Sequence, residues 1–160
     1  MLLNLRNLLA RLRDILLYAL GKRERQELLY QIAIKFVGVD ASPNDTAPDE
    51  VGCAESVTVI LSKVIDFPIT QSTWLLNEKL KTDPRFLKIT GNPGRGCIII
   101  SPTGSGNGKI RGHVGIMAND GHIMASRSAD GIWGFYYTLD TWQKYFGETG
   151  GMPTYFYGLL

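Results

Sequence analysis

The chain changes its hydrophobic period midway, and that change constrains its fold more than any other feature. Up to about Pro84, apolar residues recur at helical spacing; beyond Gly91 they come in short runs cut by glycine, asparagine and aspartate. A helix is expected from Glu24 to Val37, with Leu28, Leu29, Ile32, Ile34 and Phe36 apolar and Gly38 as its stop. A second should start near Asp49 or Glu50, carry Val57, Ile60, Leu61 and Val64 on one face, and end before Pro68. A third follows Thr70 or Ser72, with Trp74, Leu75 and Leu80 inward, and finishes around Asp83-Pro84. Strands are then expected over Cys97 to Ser101, His113 to Ala118, His122 to Ser128, Trp133 to Thr138 and Pro153 to Leu160, with a short helix from Leu139 to Phe146. Asn119-Asp120-Gly121 is a hairpin signal. Helices first and an antiparallel meander afterwards predict an α+β fold, with N-terminal helices packed on an antiparallel sheet.

At 160 residues the chain is long enough to bury a core as one domain. Seventeen basic against fifteen acidic residues leave a formal charge of +2, too little to argue for nucleic acid. The chain carries no Cys-x-x-Cys or His-x-x-x-His spacing, so neither a metal nor a cofactor is expected. Its two cysteines allow one bridge at most, and Cys97 opens the apolar run Cys97-Ile98-Ile99-Ile100, where a packed thiol is the simpler reading.

Residues 1–22 read as an amphipathic helix ahead of a domain spanning 23–160. Leu2, Leu5, Leu9, Leu12 and Leu16 form one stripe, and Arg6, Arg11, Arg13 and Asp14 interrupt any run long enough to span a bilayer. Such a helix packs on the body of the domain or on a second copy, or it lies on a membrane surface with its arginines at the polar edge. Its charges run through the apolar stretch rather than preceding it, which is not the pattern of a secretory signal.

The chemistry concentrates in Cys53 and His113. Gly52-Cys53 sits at the start of a helix, where the positive end of the dipole favours a thiolate and the Cys53 N–H can serve as an oxyanion donor. Gly52 leaves room for substrate. His113 opens a strand directly after Gly112 and a glycine-rich loop, facing a groove where it can act as base. Taken singly, a helical cysteine is more often core and a lone histidine more often structural; their order and setting favour catalysis.

A helix-borne cysteine, a Pro93-Gly94 turn into an apolar strand, then Gly112-His113-Val114-Gly115-Ile116 and a hairpin ending Ile123-Met124-Ala125-Ser126 together resemble the papain-like cell-wall cysteine peptidases. These are the NlpC-type endopeptidases and CHAP-type amidases. The resemblance covers residues 25–160. It implies a papain-like fold, Cys53 as nucleophile, His113 as base, and a peptidoglycan stem peptide as substrate. Action at the bacterial cell wall follows, and the lack of a secretory pattern suits a phage-encoded lysin made in the host cytoplasm. The chain departs from the family at Gly52-Cys53-Ala54-Glu55 and at Pro93-Gly94-Arg95-Gly96. Where relatives carry a tyrosine beside the oxyanion hole, this chain offers Asp40, Ser42 and Asn44, so the groove is assigned to Gly52, Asp40, Ser42 and Gly112. Relatives place a histidine where this chain has Met124. If Asp120-Gly121 is a two-residue turn, His113 pairs with Ser128, and Ser126 shares the face of His113 as a candidate third residue; otherwise Cys53 and His113 form a dyad. A catalytically inactive binding module and an acyl or amide transferase on another substrate remain the alternatives. Trp133, Tyr136, Tyr137 and Trp142 are either core or the lining of a groove.

Overall fold

The computed structural model describes residues 21, 24–42 and 52–160. The amphipathic helix expected over 1–22 lies outside the described residues except at Gly21, and residues 43–51, including Asn44, lie outside them too. Among the described residues, three helices precede the sheet: α1 (24–35), α2 (Cys53–Ser62) and α3 (Thr73–Thr82). The strands are β1 (Phe86–Lys88), β2 (Ile98–Ser101), β3 (His113–Met117), β4 (His122–Ser126), β5 (Trp133–Thr138) and β6 (Tyr155–Leu159). They form a six-stranded sheet in the order β1-β6-β2-β3-β4-β5, with every neighbouring pair antiparallel. Between β5 and β6, a short helix α4 (Leu139–Trp142) passes into a π-helical stretch, Gln143–Thr149.

Strand alternation sorts the sheet's side chains into two cores. Ile98, Ile100, Val114, Ile116, Met124, Tyr157 and Leu159 face the helices and join Leu29, Ala33, Cys53, Val57, Ile60, Leu61, Leu76 and Leu80. Cys97, Ile99, Met117 and Ile123 face the other way and are covered by Trp142, Phe146 and Met152. α2 is buried continuously from Cys53 to Leu61, which makes it the central helix. Each of its fully buried Val, Ile and Leu side chains contributes roughly 1.5–3 kcal/mol. α1 ends where Gly38 takes φ +87 and donates its N–H to the Trp133 carbonyl at 2.9 Å.

Three details differ from the sequence expectation. Trp74 and Leu75 point outward, 52% and 47% exposed, and α3 instead buries Thr73, Leu76, Asn77 and Leu80. β1 is an edge strand of three residues, too short to show a period. The β3–β4 hairpin closes through a three-residue loop, not two: Ala118 donates to the His122 carbonyl at 2.8 Å, while Asp120 and Gly121 both take left-handed angles (φ 53 and 72). The register is therefore Gly115 opposite Ala125 and Ile116 opposite Met124, one residue away from the expected pairing.

Candidate functional site

Cys53 begins α2 after Gly52, whose backbone stands at φ −68 and ψ −8 and supplies no side-chain cap. The thiol is buried at the start of β3. Backbone N–H groups of Val114, Ala54 and Cys53 itself reach the sulfur and favour its anion, but burial outweighs them and pushes the thiol up to about 11. The sequence had suggested a pKa drawn towards neutrality; desolvation reverses that. Val114 directly follows His113, so the sulfur lies against the backbone of the residue next to the candidate base. Both cysteines are free thiols, and Cys97 accepts from Gln26 Nε2 at 3.1 Å.

His113 points to the other face of the sheet, with Gly115 and Met117. Its imidazole packs against Trp142 (centroids 5.5 Å, planes 28° apart) and Phe146 (5.4 Å, 19°), two rings that are themselves in contact at 4.5 Å, and meets Tyr137 edge-on at 5.5 Å. Ser101, paired with His113 across β2 and β3, accepts from Trp142 Nε1 at 3.0 Å and pins the stack. Nε2 of His113 is buried and has no hydrogen-bond partner among the described residues. Burial alone pushes the imidazole down to about 4. At neutral pH the resting pair is thus a protonated thiol and a neutral imidazole. Tyr137, raised chiefly by burial, also feels the charge of Tyr145 and of Cys53, which sets the thiol within electrostatic range of the ring stack.

Ser126 does not orient His113. The one-residue change of register moves it to the helix side of the sheet, where its hydroxyl donates to the Gly131 carbonyl at 2.9 Å. Packed aromatic rings hold the imidazole in the place where a polar third residue was expected. Trp133 and Trp142 are fully buried core residues, and Tyr137 lines the pocket that holds His113. His122 is exposed at the far end of the hairpin.

Two pockets meet at Arg111 and Gly112. One, about 240 Å³, is lined by Cys53, Gln71, Ser72, Thr73, Thr103, Arg111 and Gly112. The other, about 500 Å³, is lined by His113 with Ser128, Tyr137, Tyr145 and Phe146 beside the same Arg111 and Gly112. A short network fixes the wall between them: Gly112 N–H donates to Thr103 Oγ1 at 3.0 Å, Thr73 Oγ1 donates to Thr103 Oγ1 at 3.0 Å, and Thr103 N–H returns to Thr73 Oγ1 at 3.0 Å. Gly112 is confined, because a Cβ there would run into the backbone of Ser101, Pro102 and Thr103. Asp40 and Ser42 brace the fold near α2 instead of lining the Cys53 pocket. Asp40 bridges to Ile132 and accepts from the Ser42 N–H at 2.9 Å, while Ser42 Oγ donates to the buried Glu55 at 2.7 Å. Sequence reasoning missed Thr73, Thr103 and Arg111, which come from separate segments and form no local motif.

No protein-family model matches the chain, and no curated protein matches it significantly in sequence. Among solved structures, the chain is similar to one in the type VI native effector–immunity complex Tae3–Tai3 from Ralstonia pickettii. The TM-score is 0.53 at 18% identity, covering 84% of this chain and 98% of that one. The fold is α+β and papain-like, with helices on an antiparallel sheet.

Proposed function

We propose that the chain is a cysteine-dependent hydrolase of amide bonds in bacterial peptidoglycan, with Cys53 as nucleophile and His113 as base. The observation that carries this reading is the buried Cys53 thiol at the start of α2, held against the Val114 N–H beside His113. Substrate enters with its scissile carbonyl at Cys53. The thiol proton passes to Nε2 of His113 as sulfur bonds to the carbonyl carbon. The first-turn N–H groups of α2 stabilise the oxyanion. The C–N bond then breaks and the imidazolium protonates the departing amine. Water attacks the thioester, gives a proton to His113, and frees the carboxylic acid and the thiol. For the imidazole to meet the sulfur, it must leave its ring stack around the beginning of β3, so substrate binding and assembly of the dyad are coupled steps.

The bond is that of an endopeptidase or an N-acetylmuramoyl-L-alanine amidase. Both act at the cell wall, reached as a phage lysin made in the host cytoplasm or, by analogy with the effector–immunity neighbour, as a delivered effector. Residues 1–20 serve as a contact with a membrane surface or a second copy.

Zymography on purified sacculi with wild type, Cys53→Ala and His113→Ala tests the reading. Clearing by the wild type and by neither variant is expected; equal clearing by Cys53→Ala overturns the mechanism. One observation favours a second reading, an inactive papain-like binding module: the resting thiol and imidazole are both neutral and face opposite cores. Sacculi that bind the wild type without being cleared would favour it.

A further inference from the structure

Among the described residues, Arg111 is the one cation lining either pocket, and it lines both. Other described basic side chains near acids are paired: Arg85 with Asp83, Arg95 with Glu27, Arg127 with Asp130 and Lys81 with Glu78. Among the described residues, Arg111 has no ion-pair partner and no aspartate or glutamate lines either pocket. The remaining lining is hydroxyls, one amide, one thiol, one imidazole and aromatic rings. Arg111 is also held in place at its backbone, since the neighbouring Gly112 is hydrogen-bonded to Thr103 and has no space for a side chain. An exposed guanidinium anchored at the junction of a thiol pocket and an imidazole pocket offers its forked donors to whatever group flanks the reacting bond.

Resting on the hydrolase reading above, we propose that Arg111 is a specificity-determining residue that binds a free carboxylate of the substrate peptide beside the scissile amide. The substrate class is then an acidic peptide, and a neutral, amidated version of the same peptide is a poor substrate. A planar carboxylate suits the guanidinium in a way that an ammonium cannot copy, so lysine restores the charge but not the paired hydrogen bonds.

The test compares native sacculi with sacculi whose carboxyl groups have been converted to amides by carbodiimide and ammonia. The proteins are wild type, Arg111→Gln, Arg111→Lys and Arg127→Gln, which removes the same charge outside the pockets. Wild type should clear native sacculi roughly ten- to a hundredfold faster than amidated ones, the range for losing a charge-assisted hydrogen bond. Arg111→Gln should clear both at the wild type's slow rate, Arg111→Lys should fall between, and Arg127→Gln should match wild type. Matching melting temperatures for all four exclude misfolding as the cause. Wild-type clearing that ignores amidation, or native clearing unchanged in Arg111→Gln, overturns the carboxylate assignment and leaves the hydrolase reading standing. Failure of the wild type to clear native sacculi overturns both.

Discussion

The two faces of the sheet hold the two candidate catalytic groups by different means. On the helix face, Cys53 is fixed by backbone: the first turn of α2 and the Val114 N–H enclose the sulfur, and an aliphatic core packs beneath. On the opposite face, His113 is fixed by side chains, the rings of Tyr137, Trp142 and Phe146. A thiol held by backbone tolerates substitution around it, whereas a base held by rings depends on each ring. Both groups are buried, and burial disfavours the charged form of each. The contrast teaches that this fold keeps its candidate nucleophile and candidate base as neutral species on either side of β3.

The contrast breaks most directly at Trp142. Trp142→Ala should cost about 3–5 kcal/mol of stability, through a large cavity and the lost bond to Ser101. At temperatures where the variant is folded it should also lose sacculus clearing. Denaturant unfolding checks the first and zymography the second; a variant of wild-type stability would mean the stack is not what holds His113.

Acid tests the same face without a mutation. His113 is held near 4 in the fold against an ordinary value of 6.5, so the unfolded chain binds the proton first as pH falls. Stability should therefore drop between pH 6.5 and 4, by about 3 kcal/mol from this group on the scale of 1.36 kcal/mol per unit. The slope should shrink in His113→Phe. Cys53 works with the opposite sign: its raised value means stability falls as pH rises from about 9 towards 11. Unfolding free energies across pH 4–11 should form a plateau between these limits, and a flat curve below 6.5 would show that the imidazole is not buried.

Gly112→Ala should destabilise by about 1–3 kcal/mol, because the added methyl meets backbone that cannot move aside. The effect should reach both pockets, seen as loss of clearing. Ser126→Ala should do least: about 1 kcal/mol for the bond to Gly131, with clearing unchanged within about twofold. A collapse of activity in Ser126→Ala would restore Ser126 as the third catalytic residue and contradict the observed register.

Much of the fold was legible in the sequence because its signals are local. The helical period of 24–37, the apolar face of Val57, Ile60, Leu61 and Val64, the apolar run after Cys97 and the Asn-Asp-Gly hairpin each specify an element from adjacent residues. The second helix nonetheless starts at Cys53 and not near Asp49 or Glu50. Cys53 at a helix start and His113 at a strand start were legible for the same reason. Ser126 was misplaced by one loop residue: both Asp120 and Gly121 adopt left-handed angles inside a three-residue loop, and a slip of one exchanges the faces of a strand. Trp74 and Leu75 were expected inward with Leu80, yet the α3 stripe that packs runs through Thr73, Leu76, Asn77 and Leu80. The pocket wall could not be read from the sequence, since Thr73, Thr103 and Gly112 come together only through the tertiary fold.

The central claim is that Cys53 and His113 together cleave peptidoglycan amides, and mass spectrometry of the material released from purified sacculi tests it most directly. Wild type should release fragments carrying one new amine and one new carboxyl group per cleaved bond, while Cys53→Ala and His113→Ala, folded to the same melting temperature, release none. Release of the same fragments by Cys53→Ala would contradict the account.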